Sequence, residues 1–491
     1  MTTIYPTIAD AIEKSAKTAK APLAWNPTDH VLSRLAFGPT PAARTEIARN
    51  GIPAWISAQI AAGHTYAGYT GDPLVAAQAT RLGLSPADSF TLLKLGGNKY
   101  GWDVMTQLTQ TTLGLQVWSK AQLYEVLVDF FTNHLNVVCP RGDLWVTRHT
   151  FDRDVIRAHA MGSFTDMLLA SARNPAMLLY LDLAQSTKSA VNENYARELL
   201  ELHTVGLVYS EADVKNVAKL LTGRTVSSRT FDYTYNPAIH GTGGVTVLGF
   251  RHPNSSTADG EVGGDALLRY LAAHPSTAKR LARKLCIRLV SDRPSHALVT
   301  AVASAYLGSG TQILPMLDTI LRSEEFWASR GHKVRRPAEN VIATMRILEV
   351  RPASIGAALK YLQTMTQQVG NQPLAWGPPD GYPDVATAWR SASTLLMLWL
   401  HHLGLAADSW TNAFAKSNKT TLYGGTPANS GDAIARLGVR LTGAPLPTAH
   451  AAALQTFLAE SATTPMARST LHALLPALVA LILDGPSHAL R

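Results

Sequence analysis

The sequence predicts a mainly α protein, a large multi-helical domain carrying a small β-hairpin insertion. Three observations carry this expectation. Apolar residues recur at helical spacing along most of the 491 residues, with Ser, Thr, Asp or Asn ahead of the runs and Gly or Pro behind them. Strand-like texture is confined to residues 225–250, where "TFDYTY" and "GVTVLGF" flank the Gly-rich "HGTGG". Hydrophobic residues make up 46% of the chain, enough to fill a large core.

Taken in order, residues 1–24 form an N-terminal extension. The main helical domain, 25–410, opens with "NPTDHVLSRLAFGPT", where Thr28 or Asp29 is the expected cap and Gly38-Pro39 the stop. "TPAARTEIARNGIPAWISAQI" reads as two short helices broken at Asn50-Gly51. "VMTQLTQTTLGLQVWSKAQLYEVLVDFFTNHL" is long and apolar, a core helix or two joined end to end. From Arg153 one helix is expected to about Ala172, then a break at Asn174-Pro175. "ENYARELLELHTVG" is helical with Gly206 as its stop, and Ser210 with Asp213 opens the next helix as a near capping box. Further helices follow the hairpin. They are interrupted by "QPLAWGPPDGYPDVATAWRS", a stiff aromatic loop of the kind usually placed for a purpose. Residues 411–491 form a linker and a C-terminal helical segment, read either as an appendage or as the last layer of the domain.

Composition excludes some classes. The net charge of +9 is modest, and the only basic stripe (Lys279, Arg280, Arg283, Lys284, Arg288) lacks interleaved aromatics, so no nucleic-acid partner is expected. That stripe reads as a solvated face or one paired with acidic helices. The two cysteines, Cys139 and Cys286, permit a disulfide but imply no framework. No apolar run is long enough to span a bilayer. The first 25 residues show no signal-peptide pattern, so a cytoplasmic location is expected, or an exported one if a leader has been removed. No GxSxG elbow, P-loop or dinucleotide fingerprint occurs, and no cofactor is expected.

Several segments together carry a family resemblance. They are "HVLSRLAFGPT", "FFTNHL", "GSFTDMLLASARNPAMLLYLD", "NENYARELLELHTVGLVYSEADVKNVAKLLTG", "HPSTAKRLARKLCIRLVS", "KVRRPAEN" and "WGPPDGYPDVATAW". In this order, from about Asp29 to Ala407, they resemble the bacterial domain-of-unknown-function 1800 family. The resemblance implies a mainly helical architecture. Many members look exported and are encoded beside a second exported family, which implies a protein partner. Two departures stand out: no leader is visible, and "PDGYPD" replaces the glycines that family members more often carry between the two tryptophans.

The most specific of these segments carries the candidate chemistry. Asn194, Glu198 and Glu201 share one helical face, with Arg197 placed to pair with Glu193 or Glu201. The structural reading is a charged helix laced with Glu–Arg pairs. The functional reading is acid/base hydrolysis, because neighbouring carboxylates repel and one then keeps its proton near neutral pH. Paired carboxylates about 5–9.5 Å apart are the arrangement of glycoside hydrolysis. Glu198 and Glu201 are thus the expected acid/base pair, with Asp182 or Asp213 as a possible wider partner and His134 in support. Asn194, Tyr195 and Arg197 would orient substrate. In the aromatic loop, Trp376, Tyr382 and Trp389 offer flat faces to sugar rings, and Asp380 and Asp384 offer acceptors. The alternative for that loop is that Trp and Pro simply lock it to the core.

The leading expectation is therefore a hydrolase acting on a carbohydrate or cell-envelope glycan. One alternative is a non-catalytic scaffold or binding protein acting with a partner. Another is a metal-dependent oxidoreductase, in which His134, His149 or His203 would join the glutamates. The spacing argues against the last, since Glu201 and His203 are two apart and no HExxH is present.

Overall fold

The computed structural model describes residues 8–13, 26–66, 68–96, 99–416, 419–465 and 467–491. Most of residues 1–24, the expected extension, lies outside the described residues. The described chain is mainly α, with two small antiparallel two-stranded sheets.

Local chemistry accounts for most helix boundaries. The first matched helix is Pro27–Arg34, and Asn26, rather than Thr28 or Asp29, caps it by accepting from the Asp29 N–H at 3.1 Å. Pro27 explains the displacement: it fits the first helical position, where no N–H is needed. Helices Pro41–Asn50 and Ile52–Thr65 meet at Gly51, as expected. The long apolar run is two helices, Lys99–Trp118 and Gln122–His134. The single helix expected from Arg153 to Ala172 is instead split. A π-helical segment, Phe151–Arg157, gives way near Gly162 to a new helix, Phe164–Ser171, capped by Ser163. The π turn holds the buried Arg157 against Asp152 at 2.8 Å and Glu125 at 3.1 Å, a tertiary ion cluster that no helical periodicity announces.

The β insertion differs in its pairing. The two expected strand segments do not pair with each other. β1 (Arg224–Val226) pairs with β2 (Tyr233–Tyr235), and β3 (Val245–Val247) pairs with β4 (Phe250–His252). "HGTGG" therefore joins two hairpins. Its first residue, His240, bonds Asn254 at 2.8 Å and the Thr222 carbonyl at 2.7 Å, which fixes the join from the side.

One continuous core runs through both the main helices and the C-terminal segment. Helix Arg468–Leu483 lays Leu475, Leu478, Val479 and Ile482 into it and packs on helix Ala392–Ala406. Polar ties join the same layers. His402 bridges Asp484 and Asn340, each at 2.7 Å, and Arg335 donates to the His488 carbonyl at 2.9 Å. Both cysteines are buried and free. No helix among the described residues is long and apolar enough to cross a membrane.

Candidate functional site

The segment that drew attention folds as a short α-helix, Asn194–Glu198, running into a π-helical turn, Leu199–His203. Tyr195, Ala196, Leu199, Leu200 and His203 are buried and anchor it to the core. The Thr204 hydroxyl closes the turn on the Leu199 carbonyl at 2.6 Å, and Arg280 donates to the Leu202 carbonyl at 3.1 Å. Gly206 takes φ +77° and donates its N–H to the Leu200 carbonyl, ending the segment. Inserted π turns of this kind are frequent at functional sites. The amphipathic arrangement leaves Glu198 and Glu201 part-exposed.

The two glutamates have different surroundings. Glu201 accepts from the Tyr209 hydroxyl at 2.6 Å. Glu198 makes no hydrogen bond or ion pair among the described residues. Burial first, then the nearby charges of Glu201 and Asp380, push the Glu198 carboxyl up against the opposing pull of Arg197. Arg197 turns away from the pair. It holds Glu211 at 2.6 and 2.8 Å and Glu193 at 3.5 Å, so the expected Arg197–Glu201 pair does not form.

Asp380 comes from the aromatic loop, 372–391, which folds over the end of helix Gln122–His134. Asn136 donates to the carbonyls of Trp376 and Pro378 at 2.9 and 2.7 Å, and Asn133 accepts from the Tyr382 N–H at 3.0 Å. The Tyr180 hydroxyl donates to the Gly377 carbonyl at 2.5 Å. Gly381 sits at φ +75° so close to Asn133 that a Cβ there would strike its carbonyl. Trp376, Tyr382 and Trp389 form a row, with ring centroids 4.9 and 5.8 Å apart. The Trp376 indole N–H donates to Asp380 at 2.7 Å, and that of Trp389 donates to the Pro383 carbonyl at 3.0 Å. Asp380 itself is exposed.

Beneath the loop lies a buried ion network. Arg288 reaches Asp129 at 3.3 Å and Asp384 at 3.7 Å and pairs closely with Glu339. Arg336 holds Glu339 at 2.9 Å and Asp129. Lys333 holds Asp292 at 2.6 Å and Asp384 at 3.1 Å. Burial alone would raise Glu339, but Arg288, Arg491 and Arg336 outweigh it and hold the carboxyl well below the usual range.

Several expected site residues take structural positions instead. Asp213 completes a capping box with Ser210 and accepts from the Leu248 N–H at 3.0 Å, so both its oxygens are engaged. Those bonds overcome the effect of burial and lower its pKa, the opposite of what a proton donor needs. Tyr195 is buried in the core with its hydroxyl unpartnered, which removes it from substrate contact. Asp384 is occupied by Lys333 and Arg288, leaving it no role as a free acceptor. His134 is buried with Nε2 at 3.1 Å from the His203 carbonyl. Burial, with Lys284, His203 and Arg280 close by, lowers its pKa well below the usual imidazole value, so the ring is neutral. Asp182 has φ +62° and accepts from the exposed Asn194 at 3.3 Å, beside the glutamate helix. His149 is spent on the Leu84 carbonyl at 2.9 Å. No group of three or more His, Cys, Asp or Glu side chains placed to hold a metal occurs among the described residues.

The structure therefore brings Glu198, Glu201 and Asp380 into one electrostatic neighbourhood beside Tyr180 and the aromatic row. The residues that hold the loop, Asn133, Asn136 and Tyr180, escaped the sequence reading as site residues. Asn133 and Asn136, flanking His134 in "TNHLN", were the only local signal. In the basic stripe, Arg288 takes the second of the two expected roles, paired with Asp129 and Glu339 on neighbouring helices, whereas Lys284 lines a cleft.

A helical protein with a part-buried, unpaired glutamate under an anchored aromatic loop is the class that fold and site define. The chain belongs to the family described as "Protein of unknown function (DUF1800)", whose model matches residues 30–490. No curated protein and no solved structure matches it.

Proposed function

We propose that the protein is a hydrolase acting on a carbohydrate or cell-envelope glycan, with Glu198 as the proton-donating acid. The observation that carries this reading is the Glu198 carboxyl. It is part-buried, unpaired and raised by burial and by Glu201 and Asp380, the last of which accepts from Trp376 in the row of three aromatic rings. A raised carboxyl can stay protonated to deliver a proton to a leaving oxygen, while an ionised partner acts on the opposite side. Asp380 and Glu201 are the partners in reach. Each has one oxygen engaged, Asp380 by the Trp376 indole and Glu201 by the Tyr209 hydroxyl, and Asp380 is the more exposed. Sugar rings stack on Trp and Tyr faces through the same apolar and C–H contacts that pack aromatics against one another.

The test is turnover of a glycan panel by the purified protein. Glu198→Gln is expected to cut turnover by about 10²–10⁴-fold, the range for losing a general acid, with folding intact by circular dichroism. Asp380→Asn and Glu201→Gln then identify the partner. Unchanged turnover in Glu198→Gln would overturn the assignment.

The second reading is a non-catalytic binding protein that works with a protein partner. Helix Ala392–Ala406 favours it, for Leu395, Leu396, Trp399, Leu400 and Leu403 stand exposed along one side of it. Apolar faces of this extent commonly mark interaction surfaces.

A further inference from the structure

Between the aromatic loop and helices Gln122–His134 and Pro275–Leu289 lies a cleft of about 260 Å³. Its wall is mostly apolar, built by Phe130 from helix Gln122–His134, Ile287 from helix Pro275–Leu289, and Tyr382, Pro383 and Val385 from the loop. Three cations reach it, Lys284, Arg288 and Arg336. Two of them are spent, since Arg288 and Arg336 are held by Asp129 and Glu339. Lys284 makes no hydrogen bond or ion pair among the described residues. Of the acids nearest to it, Asp384 pairs with Lys333, and Asp380 has one oxygen on the Trp376 indole N–H.

An ammonium without an ion pair in a mostly apolar cleft is costly unless an anion meets it. Among the described residues Lys284 is the one cation of this cleft without an ion pair, and a single ammonium matches a single carboxylate. A dianionic phosphate would bring a second charge toward Asp380 and Asp384 with no cation to receive it. The volume lies below the roughly 300–1,000 Å³ of drug-sized pockets, so the ligand is small. We propose that this cleft binds a small monocarboxylate with an apolar body, its carboxylate on the Lys284 ammonium and its body between Phe130, Ile287 and Val385. The site does not use Glu198, but it shares Asp380 and Tyr382 of the loop with the glycan reading.

The titratable groups around Lys284 are Arg280 and Arg288 on its own helix, Asp129 and the His134 ring on helix Gln122–His134, Arg336, then Asp380 and Asp384 on the loop, and the His203 ring. Burial first, then Arg280, lowers the Lys284 ammonium to about 8, against the pull of Asp380 and Asp384. Carboxylate binding needs the protonated form, so affinity falls as pH rises through that value. At about pH 8.5, binding must take up protons, because the bound anion raises the lysine pKa.

The experiment is isothermal titration of the full chain with benzoate, cyclohexanecarboxylate, benzyl alcohol and inorganic phosphate. Saturable binding of the two carboxylates, without benzyl alcohol or phosphate, is the expected result. Lys284→Met should weaken it by about tenfold or more, the loss of one charge-assisted contact, with the thermal midpoint retained. If that variant does not fold, the wild-type titration at about pH 8.5 in two buffers of different ionisation enthalpy decides, since proton uptake must appear in the heats. Absence of carboxylate binding, phosphate binding as tight as benzoate, equal affinity in Lys284→Met, or no proton uptake would each overturn the proposal.

Discussion

Glu198 and Glu339 are both shielded carboxylates, and their neighbours drive them in opposite directions. Glu198 is raised by burial first and then by the acids beside it; at Glu339 burial acts the same way, but three arginines outweigh it and lower the carboxyl. The stability consequences follow in sign. Glu198 contributes stability that is present at low pH and lost as pH rises through its folded value. Glu339 contributes stability that is present above the ordinary carboxylate range and lost as pH falls through its depressed value. Glu339→Gln leaves Arg288, Arg336 and Arg491 partly uncompensated in the interior. It is expected to cost about 3–5 kcal/mol at neutral pH, as breaking buried pairs does. Denaturant unfolding from neutral to acid pH checks this, and the variant should lose less further stability on acidification than the parent.

At the scale of the element, the capping box at Ser210–Asp213 and the loop over Asn133 are the informative pieces. Asp213→Ala removes the reciprocal cap and the tether to Leu248. The expected loss is about 1 kcal/mol of stability, with turnover at Glu198 unaffected, measured by chemical unfolding and by assay. A role for Asp213 as the second carboxylate would instead abolish turnover. Gly381→Ala places a methyl group against the Asn133 carbonyl and demands φ +75° of a residue with a side chain. The loop must move, carrying Asp380 and Trp376 with it. Tryptophan fluorescence should change and turnover should fall, while helix content by circular dichroism stays the same.

For the whole molecule, the C-terminal segment is part of the structure that holds the site. Helix Arg468–Leu483 shares its core with helix Ala392–Ala406, which directly follows the aromatic loop. Leu478 is fully buried there. Leu478→Ala is expected to cost about 2–5 kcal/mol. The loss should lower the midpoint reported by the aromatic-loop tryptophans, rather than only that of a separate C-terminal transition. Fluorescence and circular dichroism followed together through urea unfolding test this.

The sequence by itself determined the helical class, most helix boundaries and the family. These rest on local signals: apolar spacing, Asn or Ser before a helix, Pro at its first turn, Gly beyond its end. It also pointed to Glu198 and Glu201 together, because the charged helix around them is the most specific segment of the chain. Sequence periodicity did not reveal the π turns, which arise where a tertiary contact such as Arg157 with Glu125 and Asp152 outweighs regular helix geometry. Nor could it pair the strands, since "TFDYTY" and "GVTVLGF" have equal strand character and only the anchoring of His240 separates them into two hairpins. The partners of each charge were likewise decided by the tertiary structure. Arg197 had Glu193 and Glu201 within one helical turn, yet its shortest bonds go to Glu211 on the next helix. Asp380, 182 residues beyond Glu198, comes within its field because Asn133, Asn136 and Tyr180 hold the loop in place. Helical character is set by nearest neighbours along the chain, whereas a carboxyl's proton affinity is set by whatever the fold brings near it.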